Sequence, residues 1–156
     1  MLERCRSEVH SANRMSLAVN NMVRAEVESL HRFFEGWFSG ALPRDELESE
    51  FLCRFDPGFV LIPPTGGVLT LEELAASLLV SHGTRPDFGI SIRNVEVRSV
   101  SAGHVLANYE EWQQDGLASA RCQNARITTV LFQNVEPLRW VHVHETWKPV
   151  DGAVQS

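Results

Sequence analysis

The chain has 156 residues, 44% hydrophobic and 22% charged, a size and balance suited to one domain with its own core. A net charge of −6 and the lack of any basic run exclude a nucleic-acid partner. No apolar run approaches the ~20 residues of a membrane span. The three cysteines, Cys5, Cys53 and Cys122, have no CxxC spacing, so a cytoplasmic protein without disulfides is expected.

Residues 1–19 hold no continuous apolar segment and read as a loosely ordered extension rather than a signal peptide. From Asn21, a plausible N-cap, Val23, Val27, Leu30, Phe34, Trp37 and Phe38 recur at helical spacing up to Gly40, a helix stop. Pro43 opens a second short helix carrying Leu47, Phe51 and Phe55, which Asp56-Pro57-Gly58 ends. "FVLIPP" and "GVLT" read as short strands around a turn. In "LTLEELAASLLVSHG", Thr70 and Glu73 form a capping box and Leu69 and Leu74 a hydrophobic staple. Gly83 ends that helix, and His82 is expected to cap its last carbonyls.

The period then changes to two. Residues 89–100, 104–114, 117–132 and 138–148 predict four strands joined by "SAG", "DG" and "QNVEP". Such short connections make an antiparallel meander. Helices first and long strands after give an α+β domain over 20–149, with helices on one face of a bent sheet and a tail over 150–156.

This order of elements, with "FDPGFVLIPP" as first strand and "ARITTVLF" and "VHVHETW" as the last two, resembles the nuclear-transport-factor-2-like superfamily over residues 20–148. That superfamily includes ketosteroid isomerase, SnoaL-like polyketide cyclases and the association domain of calmodulin-dependent kinase. The resemblance implies a cone-shaped fold around a pocket, and a homodimer through the outer face of the sheet. It does not carry the isomerase chemistry. Ile62 stands before Pro63 where the isomerase has its aspartate base, and the sole tyrosine, Tyr109, lies on a strand rather than on the first helix.

Strand alternation puts Arg139, Val141, Val143, Glu145 and Trp147 on one face of the last strand, and Leu138, Trp140, His142, His144 and Thr146 on the other. Pairing Phe132 with Arg139 across "QNVEP" sets Arg126 opposite Glu145. The kinase association domain is similar in having a pocket arginine at the position of Arg126. At the position of Glu145 it has a second one, so an Arg–Glu pair is expected here instead. A two-residue "DG" turn would group Tyr109, Glu111, Cys122 and Arg126, whereas a three-residue turn undoes that grouping. The kinase likeness favours Glu110 inside, and only one of Glu110 and Glu111 can point inward. The candidate ligand-binding set is therefore Trp37, Tyr109, Glu110, Arg126, Glu145 and Trp147. Arg126 would anchor an anion or carbonyl, Trp37 and Trp147 would be apolar walls, and Glu110 and Glu145 are the candidate bases. The competing structural reading is an ion-paired lining of a partly wet cavity.

His142 and His144 project together and form a weak metal candidate that needs a third ligand, such as His104, Glu110 or Glu111. An interface role, sensitive to mild acid, is the stronger expectation. Asp56 reads as a turn residue, and His10, His31 and Ser119 have no assignable partner. No Ser-His-Asp order, GxSxG, Walker loop or GxGxxG occurs, and no cofactor is expected. The leading reading is a dimeric small-molecule-binding protein. A cofactor-independent lyase, isomerase or hydrolase using one pocket carboxylate is the second. It needs Glu110, Glu111 or Glu145 inside an apolar pocket and free of Arg126, and it would fall if Arg126 and Glu145 were closed on each other and no other carboxylate faced inward. The third is a dimeric assembly or adaptor module whose cavity is filled by Trp and Phe side chains.

Overall fold

In a computed structural model of the chain, the backbone is described for residues 2–115 and 123–150, and side chains within those ranges from residue 13. Helix α1 runs unbroken over Leu2–Ser39, so Asn21 is not its N-cap and the expected loose extension is helical instead. Residues 2–20 contain no glycine or proline, and nothing in them stops a helix from continuing upstream. Val23, Val27, Leu30, Phe33 and Trp37 are buried on the face of α1 that meets the sheet. Among the described residues no helix is long and apolar enough to cross a membrane.

Gly40, at φ 83°, and Gly83, at φ 69°, lie where the ends of two helices meet, and both glycine N–H groups donate to the Trp37 carbonyl. A Cβ on Gly40 would stand 3.2 Å from the Cα of Gly83, which explains the glycines physically. Three short helical pieces then span Arg44–Glu46, Leu47–Phe51 and Leu52–Arg54 and bury Leu47 and Phe51. Asp56-Pro57-Gly58 lies inside strand β1 (Phe55–Ile62) as an irregularity, with Gly58 N–H donating to the Asp56 carboxylate at 2.8 Å. After β2 (Leu69–Thr70), helix α2 (Leu71–Ser81) begins with the expected capping box: Glu73 N–H donates to Thr70 Oγ1 at 3.2 Å and Thr70 N–H to Glu73 Oε2 at 2.9 Å. His82 stands at the C-cap of α2, but its side chain does not bond the last carbonyls of that helix. Its Nε2 donates to the Leu42 carbonyl at 2.7 Å, and its ring meets Trp37 edge-on.

Strands β3 (Gly89–Val100), β4 (His104–Gln114), β5 (Gln123–Gln133) and β6 (Arg139–Lys148) complete a six-stranded sheet in the order β2-β1-β6-β5-β4-β3. β1 runs parallel to β6, and every other pairing is antiparallel. Gln114 pairs with Gln123, so residues 115–122 connect β4 to β5 in place of a two-residue turn, and Ser119 and Cys122 lie outside the described residues. The displacement is an even number of residues, which keeps Tyr109, Glu111 and Arg126 on one face. The described backbone ends at Val150, so most of the expected tail lies outside it.

Besides the irregularity in β1, bulges in β3 and β6 shape the sheet. In β3, Asn94 at φ 53° adds a residue opposite β4 and bends the strand. In β6, Phe132 pairs with Trp140 and Leu131 with His142, leaving Val141 as the extra residue. This bulge turns Trp140 inward, against its expected place beside His142 and His144, and Trp140 becomes one of the largest fully buried side chains. Gln133, not Phe132, pairs with Arg139, and the bulge adds a second residue to that shift, so Thr128, not Arg126, lies opposite Glu145, and Arg126 lies opposite Trp147.

Candidate functional site

The concave side of the sheet and helices α1 and α2 enclose a cavity of about 220 Å³. Phe34 and Phe38 from α1, Phe55 and Phe59 from β1 and Trp140 from β6 give it apolar walls. Ser77 and Ser81 border it from α2. At one part of the wall the sheet contributes Tyr109, Glu111, Gln113, Arg126 and Glu145, and α1 contributes His31.

His31, Glu111, Arg126 and Glu145 are buried, and hydrogen bonds join them in pairs, with half-buried Gln113 bonded to both Glu111 and Arg126. Arg126 Nη1 donates to Glu145 Oε2 at 2.8 Å across the diagonal of the strand pair, so the expected ion pair forms despite the moved register. Its Nη2 makes longer bonds to Gln113 Oε1, 3.3 Å, and Asn124 Oδ1, 3.4 Å. Its Nε has no partner among the described residues, nor do Asn124 Nδ2 and Thr128 Oγ1. His31 donates from Nδ1 to the Val27 carbonyl at 2.6 Å, and its Nε2 meets Glu111 Oε2 at 2.9 Å. Gln113 Nε2 donates to the other Glu111 oxygen. With both ring nitrogens engaged, His31 has no free atom with which to act on a substrate.

The two carboxylates diverge. Burial pushes Glu111 upward, but the charge and hydrogen bond of His31, with Arg126 and Gln113, outweigh it and hold the carboxyl at about 2. Burial and the neighbouring charge of Glu111 push Glu145 up to about 7, against the pull of Arg126. Burial, with both carboxylates, raises the Tyr109 phenol well above its ordinary value.

Tyr109, Arg126 and Glu145 stand in the cavity wall. Glu110 does not: it faces the outer surface, where Lys148, Trp112 and Asn94 donate to it and hold it at about 2. Glu111 takes the inward place, because the length of the β4–β5 connection fixes the parity that a turn motif left open. Trp37 is not a wall of the cavity. It stacks on Phe33 in the core, and its Nε1 donates to the Leu78 carbonyl at 2.7 Å. Trp147 is 38% exposed at the end of β6, with the Arg126 guanidinium 5.1 Å from its ring centre. His142 and His144 lie on the outer face beside Leu131 and Thr129, and among the described residues no group of three His, Cys, Asp or Glu side chains could hold a metal. The sequence reading left His31 without a role. Its spacing of four from Val27 and three from Phe34, on the apolar face of α1, was the available signal.

No family model matches the chain. Among curated proteins it is similar to sucrose-phosphatase 1 and sucrose-phosphatase 2 of Nicotiana tabacum, at 30% and 29% identity over 149 residues. These alignments cover 88% of this chain, but the chain spans only 33% of the length of either relative. Among solved structures, an NTF-2-like protein of unknown function from Pseudomonas aeruginosa matches at TM-score 0.74 and 26% identity, over 82% of this chain and 99% of that one. The hub homology domain of a calmodulin-dependent kinase II from Chlamydomonas reinhardtii matches at 0.62 and 14%, over 83% and 98%. The association domain of the Caenorhabditis elegans kinase matches at 0.61 and 12%, over 85% and 98%. The chain is therefore a nuclear-transport-factor-2-like protein in fold, an α+β cone with a curved, unclosed sheet.

Proposed function

We propose that the chain binds a compact organic molecule in this cavity, as a cytoplasmic homodimer paired through the outer face of the sheet. One observation carries the reading: about 220 Å³ remains open between aromatic walls, beside a buried Arg126 whose Nε has no partner among the described residues. A filled core, as the assembly reading requires, would leave no such space. An apolar cavity of about 150 Å³ holds benzene, so this one suits a single ring with one or two polar substituents. Arg126 and Gln113 offer the polar contacts that would orient it. The kinase hub and association domains support a homo-oligomer by analogy of fold.

Catalysis by Glu145 is the second reading, favoured by its position near neutrality in the cavity wall. Glu111 is a further inward carboxylate, but Glu145 is paired with Arg126, so this reading requires that a substrate draw Arg126 away from Glu145. Phosphate-ester hydrolysis, the activity named in the curated relatives, suits the site poorly, since two buried carboxylates oppose a phosphate dianion.

A thermal-shift panel of compact aromatic and aliphatic acids, amides and alcohols tests the binding reading. A ligand at a hundred times its Kd should add about 2.7 kcal/mol and raise Tm by roughly 5–10 °C. Ser77→Trp, at an exposed position on the cavity border, should abolish the shift. Silence across the panel would refute it. Turnover of any hit, lost in Glu145→Gln, would decide for catalysis.

A further inference from the structure

The charges of the buried cluster balance before any ligand arrives. His31 and Glu111 form one neutral pair wherever their shared proton resides, and Arg126 and Glu145 form another. All four side chains are buried, so an added charge in their midst would be poorly solvated. Arg126 is nevertheless built to take one more acceptor. Glu145 occupies only Nη1, the Nη2 bonds are long, and Nε is unpartnered among the described residues. A carboxylate matches two adjacent N–H groups of a guanidinium.

We propose that the ligand is a small monoanion whose carboxylate shares Arg126 with Glu145, and that one proton passes from solvent to Glu145 as it binds. The inference rests on the ligand-binding reading above. Two carboxylates on one guanidinium, with Glu111 close by, leave an excess negative charge that protonation of Glu145 removes. The neutral acid keeps its place, because its carbonyl oxygen still accepts from Nη1. Among the described residues, the titratable or charged groups around Glu145 are His31 from α1, Tyr109 and Glu111 from β4, and Arg126 from β5. Of the two inward carboxyls, Glu145 already lies nearer to protonation, for the reasons of burial and like charge given above.

Benzoate and its neutral counterpart benzamide are probes of suitable size. Calorimetry of benzoate binding at about pH 8, in buffers of different ionisation enthalpy, should report uptake of about one proton, falling toward zero near pH 6. Above about pH 7 benzoate affinity should drop about tenfold per pH unit, while benzamide affinity stays level. Glu145→Gln should bind benzoate with a flat pH profile and no proton uptake. Benzoate binding to the wild-type protein without proton uptake at pH 8 would overturn the proton coupling and leave ligand binding intact; this result needs no variant. Benzamide binding where benzoate binds at no pH would overturn the monoanion class. If neither probe binds and no panel compound responds to Ser77→Trp, the ligand-binding reading itself falls.

Discussion

Replacing Glu145 by glutamine should change how stability depends on pH, in a direction that the cluster fixes. The carboxyl stands at about 7 in the folded protein against 4.5 for the free group. A raised carboxyl favours the folded state while protonated. Its contribution is therefore full below about pH 4.5 and is lost as pH rises through 7. The shift of roughly 2.5 units, at about 1.36 kcal/mol each, corresponds to a loss on the order of 3 kcal/mol between pH 4.5 and 8. Glutamine keeps the shape and one acceptor but cannot ionise, so the variant should lack this loss. Glu111, held at about 2, acts in the opposite sense and in another window: its contribution is present above about 4.5 and lost as pH falls toward 2. Urea unfolding of both proteins from pH 4.5 to 8 gives the difference curve that isolates Glu145. Two parallel curves, within about 0.5 kcal/mol, would refute the account of burial and like charge.

Trp37→Phe should cost roughly 2–4 kcal/mol in urea unfolding, because it removes a fully buried indole and leaves the Leu78 carbonyl without its donor; a neutral change would show that this bond does not tie α1 to α2. Gly40→Ala should cost about 1–3 kcal/mol, from its left-handed φ and the 3.2 Å approach to Gly83, read in the same assay. Sedimentation velocity should show a dimer that weakens from about pH 8 to about pH 5.5, with the outer face that carries His142 and His144 as its interface. An assembly unchanged by pH, or unaffected when both histidines become glutamine, would count against that face as the interface.

Features that rest on contacts close in the chain were legible from the residues alone. The Thr70–Glu73 box needs only three residues and two hydrogen bonds, and it starts α2 as read. Strand alternation placed Arg126 and Glu145 on one inward face, and their ion pair survived a shift of register because diagonal neighbours still meet. The rest depended on lengths and packing that no local pattern encodes. The connection over 115–122 chose Glu111 over Glu110, and one extra residue at Val141 turned Trp140 into the core while leaving His142 outside. His31 found its carboxylate 80 positions away, a pairing that exists only once α1 lies across the sheet. Short-range hydrogen bonding and periodicity belong to the sequence. Which face a strand residue shows, and which charge it meets there, is decided when sheet curvature and helix packing settle together.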